Sequence, residues 1–265
     1  MASTSPFDAF AADYDIRFSE RLPVTWLRTA VYERIAPLLG NGARVIELGC
    51  GTGEDAIWLA RQGCDVWATD ASSGMLGRAR IKIDELDLGS RISLQQINLT
   101  HWQPADLPTD FRAHLVFSNF GALNCVEDVR PVFRAAWQCL NEGGYLAVSL
   151  MGRFCLSETV YFGIRGQFTK AVRRWRAKNH YQAGGEWHPV WYHSPADLRS
   201  QAENFEQRSL YGIGGLLPPS EGFGLCERWP ALFGQLARWD RRLGRYLYPI
   251  SDHYLMILQK IKPSQ

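Results

Sequence analysis

The 265-residue sequence contains no run of eighteen apolar residues, so no segment reads as a membrane-spanning helix. Residues 1–15 have neither a basic start nor an apolar stretch and carry Asp8, Asp13 and Asp15, so they do not read as a secretory signal. The six cysteines, at 50, 64, 125, 139, 155 and 226, form no Cys-x-x-Cys pair and no short metal-ligand spacing. They are expected to be reduced thiols in a cytoplasmic protein, with no metal site. A charge excess is also missing. Lys+Arg 29 against Asp+Glu 27 leaves +2, too little for a general nucleic-acid coat. No internal repeat or low-complexity tract stands out. With 46% hydrophobic residues, the chain has a globular composition and can bury a sizeable core.

Short apolar strands alternate with helical patterns through the first 150 residues. Residues 24–39 have helical spacing, and Pro37 is expected to bend or shorten the last turn. Strands are expected at Arg44–Leu48, Cys64–Thr69, Ile92–Ile97, Ala113–Ser118 and Tyr145–Leu150. Helices are expected at Glu54–Arg61, Met75–Leu86 and Pro131–Leu140, with Gly63 as the stop of the first of these. This rhythm implies an α/β fold with an open, mostly parallel sheet and helices on both faces. After Met151 the rhythm breaks. Residues 152–193 are rich in Arg, Trp, Tyr and His and show no clear strand pairing. Ser194-Pro195-Ala196-Asp197 reads as a capped helix start. Phe205–Tyr211 and Tyr254–Leu258 would complete a seven-stranded sheet. The excursions 152–193 and 216–250 read as cover over one face of it, within a single domain.

Glu47-Leu48-Gly49-Cys50-Gly51-Thr52-Gly53 is the informative stretch. A strand that runs directly into a glycine turn and then a helix forms a ligand seat, with open backbone and free N–H groups. The dinucleotide fingerprint G-x-G-x-x-G is close, but here the third glycine comes one residue early. Glu47, just before the turn, suits a cationic or amine-bearing ligand better than a phosphate. Asp70 ends the next strand, 17 positions after Gly53, where a carboxylate can accept from both ribose hydroxyls of an adenosine. Asp70 alone does not separate this reading from a nicotinamide dinucleotide site.

This turn and its strand-end Asp resemble the class I S-adenosylmethionine-dependent methyltransferases, over roughly residues 7–150. The opening Phe7-Asp8-x-x-Ala-x-x-Tyr14-Asp15 resembles the small-molecule branch that includes ubiquinone/menaquinone- and biotin-pathway enzymes. The resemblance implies a doubly wound, Rossmann-like fold with a cofactor core at about 24–150 and a lid inserted after the fifth strand. It also implies roles. Gly49, Gly51 and Gly53 would pack against the methionine part of S-adenosylmethionine, and Glu47 would organise that end. Asp70 would hold the ribose. Met75 would flank the adenine, and Asn98 and Leu99 would meet its edge. Ser118 and Asn119 would lie near the transferring methyl, and Tyr14 would close over the cofactor.

The acceptor is narrowed by what is missing. Ser118-Asn119-Phe120-Gly121 lacks the Asn/Asp-Pro-Pro-Tyr/Phe segment of base-amino methyltransferases. Cys125 follows Asn124, not the proline of RNA cytosine enzymes, and no acidic set marks a Mg²⁺-dependent catechol enzyme. A small, partly apolar or aromatic organic acceptor is the expected substrate, and nucleic acid is not the expected partner. Aromatic residues in 152–193 suit an apolar pocket wall. The base candidates there are His180, His188 and His193, with Glu186 behind them. The basic run 170–178 could receive phosphate, but such runs are more often solvated. RNA methylation, cofactor binding without turnover, and nicotinamide-dependent oxidoreduction stay open as alternatives.

Overall fold

Helices and strands that each bury one side have to stack in layers. In the computed structural model, which describes residues 5–108, 111–183 and 186–261, they do so. The helix α1 (Leu22–Ile35) is followed by β1 (Arg44–Leu48), α2 (Glu54–Arg61), β2 (Asp65–Asp70), α3 (Ser73–Glu85), β3 (Ile92–Gln96), β4 (Ala113–Ser118), α4 (Arg130–Cys139) and β5 (Leu140–Met151). The second half contributes α5 (Leu156–Gly163), α6 (Phe168–Ala171), β6 (Lys178–Ala183), β7 (Glu186–Trp191), α7 (Pro195–Gln201), β8 (Phe205–Ile213), α8 (Phe223–Arg228), α9 (Pro230–Leu247) and β9 (His253–Lys260). Among the described residues, no helix is long and apolar enough to cross a membrane.

Seven strands form one sheet in the order β3-β2-β1-β4-β5-β9-β8, and only β9 runs against its neighbours. Alternation along each strand feeds two cores. Val45, Leu115 and Phe117 face α1, α2, α3 and Ala237 of α9. Ile46, Leu48 and Val116 face α4 and Leu198 of α7. The chain leaves β1 toward β2 but leaves β4 toward β5. The loops therefore diverge between these two neighbouring strands and open a crevice at their carboxyl ends.

The local signals before Met151 match the structure closely. Pro37 lies in a 3₁₀ turn, Ala36–Leu38, that ends the α1 segment. Gly63 takes φ +85° just past α2. Beyond Met151 the capped helix start also matches: Ser194 accepts from the Asp197 amide at 3.1 Å, and Asp197 accepts from the Ser194 amide at 3.2 Å.

Two readings of the second half need correction. Residues 152–193 do contain strand pairing, because β6 and β7 form an antiparallel hairpin apart from the main sheet. The excursions also do not share one face. The α9 helix packs on β8 and α1, extending the helical layer there, because Ala237, Asp240 and Gly244 give it a narrow buried stripe. The first excursion instead meets the loops at the carboxyl ends of the strands. Asn124, in the turn after β4, donates to the carbonyls of Met151 at 3.1 Å and Trp191 at 2.7 Å.

A buried charge network fixes the first excursion. Glu158 of α5 accepts from Arg173 at 2.9 and 3.1 Å and pairs with Arg174 at 2.6 Å. Arg174 also pairs with Asp252 at 2.6 Å. Burial opposes the charge on Arg174, but the two carboxylates raise its pKa. Asp252 is held well below the usual carboxylate range: burial alone would raise it, but Arg174 and His253 reverse the sign. The basic run is thus partly turned inward. Glu158→Gln is expected to lower stability by about 3–5 kcal/mol, the usual effect of leaving buried charge uncompensated. An unchanged urea midpoint would show that the network is not needed for folding.

Candidate functional site

The three turn glycines have different tasks. Gly49 has φ +79°, and a Cβ there would lie 2.2 Å from Cβ of Ala122. Gly53 has φ +85° at the start of α2, and a Cβ would meet Ala79 of α3 at 3.0 Å. Gly51 has φ +53°, but nothing lies within 4 Å of its Cβ position. The outer two glycines let elements pack closely. The middle one presents bare backbone to a cleft of about 930 Å³, counting its open mouth.

Tyr14, Gly49, Gly51, Asp70, Met75, Asn98, Leu99 and Asn119 line this cleft. The Asp70 carboxylate accepts from the Gly51 amide at 2.9 Å and the Ser72 amide at 2.8 Å. Burial raises its pKa, against the pull of those amides. Asn98 caps a short turn, its amide oxygen accepting from Thr100 N at 3.0 Å and Thr100 Oγ1 at 2.8 Å. That oxygen is fully engaged, so an adenine amino group would have to displace one of these bonds.

Glu47, Gly53 and Ser118 are not in the cleft wall. Ser118 is fully buried and donates to the Leu48 carbonyl at 2.9 Å, joining β4 to β1. Glu47 lies beneath the turn, buried, and its Oε2 has no hydrogen-bond partner among the described residues. Burial pushes its pKa well above the ordinary value, and Asp55 and Asp70 push the same way against Arg28.

The N-terminal segment is latched onto the site. Asp8 accepts from Ser72 Oγ at 2.5 Å and the Gly74 amide at 2.9 Å, at the start of α3. Asp15 accepts from Thr52 Oγ1 at 2.5 Å and from Lys82 Nζ at 3.0 Å. Burial would raise the Asp15 pKa, but these donors hold it below the usual value. Phe7 and Tyr14 thereby reach the cleft wall, and burial pushes the Tyr14 hydroxyl up to about 12.

The cleft floor was not foreseen from the sequence. Arg28 of α1 forms a close ion pair with Asp55 of α2. Asp55 also accepts from Tyr32 at 2.5 Å and from Asn119 at 3.1 Å. Burial alone would disfavour the guanidinium charge, but Asp55 raises the Arg28 pKa. Its Nε has no hydrogen-bond partner among the described residues. The Arg28 guanidinium lies 5.1 Å from the centre of the Phe120 ring, and Phe120 itself has φ +46°. One signal was available: Arg28 falls on the Val24–Val31–Ile35 stripe, a charge at an inward position of that helix face.

None of the three histidine candidates lines the cleft. His193 is buried and structural, its Nε2 lying 2.9 Å from the Val126 carbonyl while its own carbonyl accepts from Tyr254 at 3.0 Å. His180 is exposed on β6, and His188 lies against Tyr181. The Glu186 side chain is outside the described residues. The hairpin approaches the cleft through Tyr181, whose ring is 5.7 Å from that of Phe7. The stretch 120–126 contributes Phe120, Gly121, Ala122, Cys125 and Val126 to the cleft wall and contains no charged side chain.

Glu47 gives a pH test that needs no ligand. Its raised pKa favours the folded state fully below the ordinary value near 4.5, and this contribution fades as pH rises through the folded value. Glu47→Gln is therefore expected to match the wild type in stability at about pH 4 and to gain on it as pH rises. Parallel stability curves across that range would contradict the assignment.

A family model described as a methyltransferase domain matches residues 20–206, well over half the chain. A demethylmenaquinone methyltransferase from Clavibacter sepedonicus is 34% identical over 149 residues, covering 54% of this chain and 55% of that protein. A ubiquinone biosynthesis O-methyltransferase from Alkalilimnicola ehrlichii is 26% identical over 155 residues, covering 56% and 58%. The chain thus spans about half the length of the curated relatives it matches. The solved CcbJ methyltransferase of Streptomyces caelestis shares the fold over 98% of this chain and 99% of its own, with TM-score 0.65 and 18% identity. With its glycine turn, strand-end Asp70 and this family match, the chain belongs to the methyltransferase-domain family, within the class I S-adenosylmethionine-dependent methyltransferases.

Proposed function

We propose that the protein moves a methyl group from S-adenosylmethionine to a small, partly apolar organic acceptor. The supporting observation is one cleft of mixed chemistry. Its wall combines polar groups (Arg28, Asp70, Asn119 and the Gly51 backbone) with apolar side chains (Phe7, Phe120, Ala122 and Val126), and the Arg28 guanidinium lies against the Phe120 ring. Three relatives are named for demethylmenaquinone, ubiquinone biosynthesis and trans-aconitate, although another is named for a release-factor glutamine.

The residues present fit the cofactor. Asp70 would take the ribose hydroxyls, Met75 and Leu99 would flank the adenine, and the open face of Gly51 would admit the methionine chain. Arg28, which lines the cleft, would receive the methionine carboxylate through its guanidinium. Glu47, beneath the turn and held toward its neutral form, would act on that end only through the turn it supports. The cofactor supplies an activated sulfonium methyl. The protein's own part is to align the acceptor against it and exclude water. We assign the cover to residues 152–193, with Tyr181 at its edge, and treat 1–265 as a single domain around a core at about 24–150.

No histidine serves as base in this scheme. Tyr14, at about 12, and Cys125, pushed by burial to about 11, stay protonated near neutral pH. An acceptor that has to lose a proton would therefore rely on its own acidity. The inward pairing of Arg173 and Arg174 weighs against RNA.

Labelled-methyl transfer to a panel of phenols, enols and carboxylic acids is expected to yield product with at least one of them, at a rate that His180→Asn and His188→Asn leave unchanged. Transfer to RNA alone, or loss of the rate in either variant, would contradict the reading. Asp70→Ala is expected to weaken S-adenosylhomocysteine binding by about 1–3 kcal/mol, roughly 5- to 150-fold. An unchanged dissociation constant by calorimetry would refute the ribose role. Gly51→Asn, a residue that tolerates the left-handed backbone at φ +53°, is expected to abolish that binding while the melting temperature changes little, and normal affinity would count against the close backbone approach.

A further inference from the structure

We propose that a groove between α1 and α9 binds a ligand carrying adjacent phosphate groups. The groove, of about 730 Å³ with its open side, is lined by Glu33, Arg34, Arg238, Arg241 and Arg242. Four guanidinium groups therefore face one carboxylate.

Two of the arginines are fixed in place. Arg34 donates to the Arg241 carbonyl at 2.5 Å, and its guanidinium lies 4.5 Å from the Tyr211 ring centre. Arg241 is 3.3 Å from Glu33. The other two, Arg238 and Arg242, are exposed, one turn apart on α9, and form no ion pair among the described residues. Arg242 lies 5.4 Å from the centre of the Trp239 ring. One turn further, Arg245 donates to the Tyr211 hydroxyl at 3.3 Å and adds another positive group at the rim.

The fixed pair has already lost its side-chain freedom, so ordering it costs a ligand little. The two exposed arginines repel each other at this helical spacing, and an anion between them relieves that repulsion. One carboxylate would neutralise only part of the excess charge. Neighbouring phosphates carry several charges, and their oxygens match the planar guanidinium fork. Arg28, at the cleft floor, and Arg34 are six residues apart on α1, about 9 Å along the helix axis. The groove shares no lining residue with the cleft, so its ligand would not take the cofactor's place.

Calorimetric titration of the purified protein with inorganic pyrophosphate, in parallel with flotation on phosphatidylglycerol and phosphatidylcholine vesicles, tests this site. The double variant Arg238→Gln/Arg242→Gln is the control, with S-adenosylhomocysteine affinity confirming an intact fold. Saturable pyrophosphate binding that weakens at least tenfold in the variant, with cofactor affinity unchanged, would support a soluble phosphate ligand. Flotation on phosphatidylglycerol without pyrophosphate binding would show attraction to single lipid phosphates and would overturn the requirement for adjacent ones. Absence of both, or binding that the double variant leaves intact, would overturn the proposal.

Discussion

The carboxylate of Asp55 is the point on which the cleft is built. It draws Arg28 and Tyr32 of α1 and Asn119 at the end of β4 onto the first turn of α2. Three separate elements are thereby held around the glycine turn. A buried ion pair is weak evidence of net stabilisation, because desolvation offsets much of the attraction. Its effect here is on arrangement. Were Asp55 neutral or absent, a buried guanidinium would lack its counter-charge, and α1 would have no polar reason to keep this register. The pair also keeps Arg28 charged at the cleft floor, beneath the ring of Phe120.

The N-terminal segment depends on the same region from the other side. Asp8 holds the start of α3, and Asp15 joins Thr52 of the glycine turn to Lys82 of α3. Each residue named in the opening motif thus has a mechanical reason. Phe7 and Tyr14 wall the cleft, Ala11 lies buried where a Cβ on Gly74 would sit 3.2 Å away, and the two aspartates are latches. Phe120 completes the enclosure at a positive φ, the kind of backbone strain that persists only where surrounding packing over-determines it.

Much of this was legible in the sequence before Met151, where local and tertiary demands agree. The strand, turn and helix signals around Glu47–Gly53 were strong because hydrophobic alternation, glycine placement and capping point the same way. Asp70 was legible for the same reason. Later elements were less so. The β6–β7 hairpin stands apart from the main sheet and Trp187 stays exposed, so the Trp187–Pro189–Trp191 alternation marks no core face. The α9 helix was masked by Trp239, Leu243 and Tyr246, which stay exposed and blur its buried stripe. His193 was readable as chemistry or as structure, and only its 2.9 Å approach to the Val126 carbonyl separates the two. Arg28 and Asp55 are 27 residues apart, and nothing local in either predicts that they meet.

The account stands on the crevice between β1 and β4 accepting an adenosine that bears a methionine chain. A crystal structure with S-adenosylhomocysteine bound tests that most directly. The ribose hydroxyls should lie within hydrogen-bond distance of Asp70, with the amino-acid end along Gly51 and its carboxylate at Arg28. A ligand located elsewhere, or a crevice that takes a nicotinamide dinucleotide and refuses this compound, would contradict it.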